Sequence, residues 1–175
     1  MSSSDRALVE AQLERPVRSE VDVVTRCHLG VPVVIRVPPL LDDGTPFPTR
    51  YWLTCPLATR RIGRIESVGG VAAMERHAAG DPEFGARLDQ AHARYAAERD
   101  AALPAEADPR PGGGVGGARA GVKCLHAHYA DTAAGNPNPV GEATAVWVEP
   151  LDCSVRCVVE TEDGAERNPE WREPS

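Results

Sequence analysis

Aromatic residues are scarce: two Phe, three Trp and three Tyr make up 5% of the 175-residue chain. The core must therefore be built from aliphatic side chains and alanine, and it is small. No apolar run approaches the roughly 20 residues of a membrane-spanning helix, and MSSSDRALVEAQLERP lacks the basic-then-apolar order of a secretion signal. Positive charge is in deficit, with 19 Lys and Arg against 26 Asp and Glu, a net charge of -7. That balance excludes a general binder of nucleic acid or anionic membrane, since both need a wide positive field. There is no paired CxxC and no internal repeat, and five cysteines are an odd number for a disulfide framework. A cytoplasmic location is expected, with reduced thiols explained by metal binding, catalysis or burial.

What remains fits one domain, long enough to bury a core without disulfides. The expected fold class is α+β: a small, mainly antiparallel sheet covered by helices, with flexible termini and a Gly-rich linker. Residues 1–18 read as a loosely attached arm ended by Pro16, residues 19–161 as the domain, and residues 162–175 as a polar tail. Val21, Val23, Thr25 and Cys27 alternate, as do Val31, Val33, Ile35 and Val37 after a break at residues 28–30, which predicts a hairpin. The Pro-rich loop 38–49, with its Asp42-Asp43-Gly44 turn, leads to a strand at residues 50–54. Cys55-Pro56 then marks a strand-to-helix junction. Helices are predicted from Pro56 to Gly69 and over 71–80, followed by a long one capped by Asp81 with Pro82 at its first position. Residues 104–120 read as a flexible linker. Gly112, Gly114 and Gly117 formally match GxGxxG, but no strand precedes them, so a dinucleotide loop is rejected. A short helix over 121–135, a turn at NPNPVG, and strands ATAVWV and CSVRCVVE complete the reading. Trp52 and Trp147 are expected in the core, and Trp171 in the tail.

The chemistry concentrates in GVKCLHAHYADTAAG, which holds Cys124, His126 and His128. If the stretch is helical, Cys124 and His128 share a face at i and i+4, while His126 replaces His128 if the helix begins late. Cys27 and Cys55 stand at the ends of strands one and three, and neighbouring strands would bring both to one edge. Three sulfurs and one nitrogen make a structural zinc set, so the expected ligands are Cys27, Cys55, Cys124 and His128, with His126 as the alternate. An iron–sulfur cluster is the alternative cofactor. Cys124, His128 and Asp131 also have the residue types of a thiol hydrolase, but parallel side chains on one helix converge poorly. Cys153 and Cys157 read as one buried face of a strand. Arg60, Arg61, Arg64 and Lys123 can hold a phosphate or carboxylate beside a metal, or form a solvated face. Three functions follow: a zinc protein with a structural or recognition role, a metal-assisted hydrolase of a phosphate-bearing substrate, and a metal-free interaction protein.

At PFPTRYWLTCP, GVKCLHAHYA and NPVG the sequence resembles a bacterial family of unknown function, number five hundred and one among such domains. The resemblance runs from about Arg26 to Gly141, interrupted by the Gly-rich segment. It implies no activity. It implies a Gram-positive, high-GC bacterial context, with genes near a septum-formation initiator and an exopolyphosphatase, and hence a cell-division or polyphosphate-related protein partner.

Overall fold

The structure, a computed structural model, describes residues 1–174. It is an α+β fold. Helix α1 (Ser3–Leu13) precedes three strands, β1 (Asp22–Arg26), β2 (Pro32–Arg36) and β3 (Tyr51–Leu53). These form one antiparallel sheet in the order β1-β2-β3. The β-branched run of β2 is buried on both faces because it is the central strand. Strand β1 alternates between exposed and half-buried, as an edge strand does. Strands one and three are thus separated by β2, where the sequence reading has them as neighbours.

Helices α2 (Pro56–Ser67), α3 (Gly70–Gly80) and α4 (Pro82–Ala101) follow the sequence expectation closely. Asp81 caps α4 by accepting from the backbone N–H groups of Glu83 and Phe84. Leu57, Ile62, Leu88 and Tyr95 join Val33, Val34, Leu125, Val140 and Val158 in the main core. A smaller cluster of Val9, Val21, Ile35 and Val37 is flanked by the stacked rings of Phe47 and Trp52. Among the described residues no helix is long and apolar enough to cross a membrane.

Three segments differ from the sequence reading. ATAVWV is not a strand but part of helix α6 (Pro139–Val148), which follows α5 (Leu125–Ala133). The start signal is Asn138-Pro139: the Asn138 side chain accepts from Gly141 N–H, and Pro139 occupies the first turn. Trp147 is consequently 72% exposed and lies outside the core. Residues 151–157 form a loop, and only the end of CSVRCVVE enters β4 (Val158–Thr161), which pairs antiparallel with β5 (Gly164–Arg167) inside the expected tail. Trp171 is buried there, and its ring receives the Arg60 guanidinium at 4.9 Å.

The two segments read as mobile are packed. Leu8 and Val9 of α1 are buried, because the helix lies against the β4–β5 ribbon and turns Val9 toward Val21, Ile35 and Val37. Within residues 104–120, Val115 is fully buried in a 3-10 turn (Val115–Gly117). His92 Nδ1 accepts from Val115 N–H, and its Nε2–H donates to the Gly121 carbonyl, so His92 pins both sides of the segment. A Cβ on Gly114 would lie 2.3 Å from the His92 ring, so this glycine permits a close approach rather than flexibility.

Candidate metal centre

Helix α5 begins late. Cys124 is its N-cap, with extended φ/ψ of -157° and 145°, and the first helical residue is Leu125. The i, i+4 relation to His128 therefore does not apply, and His126 in the first turn comes round to the side of the Cys124 sulfur. The Cys124 side chain makes no capping hydrogen bond to the helix start.

The third member arrives from α2. Glu66 Oε1 accepts the Leu125 N–H at 2.6 Å, which satisfies an orphan donor of α5, while Oε2 faces His126 Nδ1 at 3.2 Å. On the far side of the imidazole, Nε2–H donates to the Thr59 carbonyl at 3.2 Å. Two points on α2 thus clamp the ring. Ligand atoms of Glu66, Cys124 and His126 all lie within 4.8 Å of one another. They are a carboxylate oxygen, a sulfur and an imidazole nitrogen, a donor set that suits zinc. All three residues are partly exposed.

A groove of about 710 Å³ runs past Cys124 and His126, and Arg60, Lys123, Thr59 and Gln12 contribute to its walls. Of the four expected anion holders, Arg60 and Lys123 line it. Lys123 Nζ also donates to the Gly116 carbonyl at 3.1 Å. Arg61 is instead committed to the carbonyls of Val148 and Pro150 at the end of α6 and to Asp152, and Arg64 pairs with Glu173.

His128 is fully buried and does not join the group. Its Nδ1–H donates to Asn138 Oδ1 at 3.0 Å, its Nε2 has no partner, and burial pushes its pKa down to about 4. Asp131 bonds Arg94, Asn136 and Asn138, so the triad of Cys124, His128 and Asp131 is not assembled. A thiol nucleophile built on His126 fares no better, since both ring nitrogens are engaged by oxygen, Nδ1 with Glu66 and Nε2 with the Thr59 carbonyl. Burial also raises the Cys124 thiol pKa, and the Glu66 carboxylate adds to this, whereas reactive thiols sit in electropositive surroundings.

Cys27 and Cys55 do converge, but on a different pocket, whose lining includes Cys153 and Cys157 and not Cys124. The five thiols are therefore divided between two places. Glu66 was not legible as a ligand, because a lone carboxylate among arginines late in α2 carries no spacing signal toward Cys124.

Residues 23–146 match the family model described as a protein of unknown function (DUF501). No curated protein and no solved structure matches the chain.

Proposed function

The chain belongs to the DUF501 family, and from that premise we propose that it is a zinc-binding protein of the cytoplasm, with Glu66, Cys124 and His126 as ligands and a fourth position open to the groove. One contact carries this reading. The Thr59 carbonyl can only accept, so His126 Nε2 carries a proton; in the neutral ring Nδ1 is then a lone pair, and it faces a Glu66 carboxylate oxygen at 3.2 Å. Two acceptors repel unless a cation lies between them, and Cys124 Sγ supplies the third donor for a metal there. A metal-bound histidine commonly donates its other N–H to a carbonyl, which is the part Thr59 takes. The bland occupant is a second proton on His126, and the test must separate the two.

Structural zinc sites close with four protein ligands, whereas three ligands leave room for water or a partner group. A second reading, metal-assisted hydrolysis of a phosphate-bearing substrate, is favoured by Arg60 and Lys123 on the groove wall beside that open position. Zinc would lower the pKa of a bound water, and the two cations would hold the anion.

The test is competition for zinc with a chromophoric chelator, using the full chain and its Cys124→Ala and His126→Ala variants. Each variant is expected to lose at least tenfold in affinity at this site. Unchanged zinc uptake in both variants contradicts the proposal. For the second reading, turnover of a chromogenic phosphate monoester by the zinc-loaded chain must vanish in Cys124→Ala and fall in Lys123→Ala; absence of turnover in the loaded wild type refutes it.

A further inference from the structure

Four of the five cysteines surround one small void. Cys27 lies at the end of β1, Cys55 caps α2, and Cys153 and Cys157 lie in the loop before β4; all four are free thiols lining a pocket of about 10 Å³. That is close to the volume of one water-sized probe, but apart from the thiols, Gln12 and Arg156 the walls are aliphatic and offer water few partners. No carboxylate lines it, and Arg156 is its single charged residue. Hard cations have nothing to bind there, whereas thiolates select soft ones.

The sulfurs are also supplied with donors. Trp171 Nε1–H points at Cys153 Sγ at 3.3 Å, and Gln12 Nε2–H at Cys157 Sγ at 3.7 Å. Cys55 stands at the N-cap of α2, beside the positive end of the helix. A neutral thiol accepts weakly and gains little from such donors, but a thiolate gains much. The N–H groups of Trp171 and Gln12, the positive end of α2 and Arg156 on the pocket wall together match a centre of net negative charge.

We propose that Cys27, Cys55, Cys153 and Cys157 form a second, structural zinc site that ties the 151–157 loop to the sheet and to the start of α2. No three of these sulfurs lie within 4.8 Å of one another, while sulfurs at 2.3 Å on a tetrahedral zinc stand about 3.8 Å apart. Binding therefore draws the loop inward. The loop contains no helix or strand, so the sheet and α2 can stay in place as it moves. Cys153 and Cys157 lie beyond the matched family span, so this site joins the family region to the segment that follows it.

The experiment uses the full chain carrying Cys124→Ala, so that the first centre plays no part. This protein, prepared without an affinity tag and loaded with zinc, is expected to hold one zinc per chain, with four sulfurs at about 2.3 Å by X-ray absorption. Cys153→Ser with Cys157→Ser removes that zinc, while Cys153→His, which keeps a ligand, retains it with three sulfurs and one nitrogen. The second variant guards against mistaking misfolding for ligand loss. The proposal is overturned by a zinc-free protein with four freely titrating thiols, by a disulfide among the four, by fewer than four sulfurs on the metal, or by a coloured iron-containing chain.

Discussion

Replacing Glu66 by Gln separates the metal reading from the proton reading of the Glu66–His126 contact. The carboxamide oxygen can still accept the Leu125 N–H that Glu66 Oε1 holds at 2.6 Å, and its NH2 group can donate to His126 Nδ1. The α5 start is therefore preserved. Exchanging a charged acceptor for a neutral one at a partly exposed position costs about 1 kcal/mol of metal-free stability. Zinc binding is hit much harder, because an anionic ligand is lost and a donor group now points at the metal position. Second-shell substitutions alone cost about 10–100-fold in metal affinity, and this one removes a direct ligand. At fixed zinc in excess of both dissociation constants, a 100-fold loss lowers the zinc-dependent stabilisation by about 2.7 kcal/mol. For a chain of this size that is roughly 5–11 °C in Tm. The assay is thermal unfolding of both proteins with zinc and with chelator, read as the difference between the two zinc increments, so that any second site cancels. Equal increments in the two proteins, or no zinc increment at all in the wild type, would refute the ligand assignment.

Two further outcomes test the packing around the centre. Gly141→Ala places a Cβ 2.1 Å from Thr132 Oγ1 and 2.2 Å from the His128 carbonyl, so denaturant unfolding should show a loss of about 1–3 kcal/mol or more; Gly63→Ala, with open space on α2, should instead be neutral or gain up to about 1 kcal/mol. His128 is buried in its neutral form, with His92 as its titratable neighbour, Asp131 linked to it only through Asn138, and a pKa pushed down to about 4 from 6.5. Below pH ~6.5 the unfolded chain takes up the His128 proton and the folded chain does not. Stability from this group is thus complete above pH ~6.5 and is lost as the pH falls toward ~4, by about 3 kcal/mol in all. Unfolding free energies measured across that range should show this slope in the wild type and lose it in His128→Gln; the same slope in both proteins would assign the effect elsewhere.

Much of the scaffold was legible because its signals are local. Cys55-Pro56 and Asp81-Pro82 mark helix starts by a mechanism contained in two residues, and the alternating valines of β1 and β2 write out a hairpin. Asn138-Pro139 carries the same kind of start signal. There the β-branched and aromatic VWV suggested a strand, yet burial of one helix face against α5 outweighed that propensity, and Gly141 lets the two helices meet. The β4–β5 ribbon was hidden because Gly164–Arg167 has a polar strand's composition and is held by pairing. In the centre itself, Cys124 and His126 were legible as a pair once the helix start was in question. Glu66 was not, since it is brought in by α2 packing beside α5. The Gly-rich segment misled for a physical reason: its glycines allow contact with His92 and Pro48 at distances that no larger residue permits.

The central claim is a metal between Glu66, Cys124 and His126. The most direct measurement is diffraction from crystals of the untagged full chain, with anomalous data collected on both sides of the zinc absorption edge. An anomalous peak bonded to Glu66, Cys124 Sγ and His126 Nδ1, with the Nε2–H still on the Thr59 carbonyl, is the predicted result. Electron density that shows Glu66 and His126 in direct hydrogen-bond contact, with no anomalous scatterer between them in zinc-soaked crystals, would contradict it.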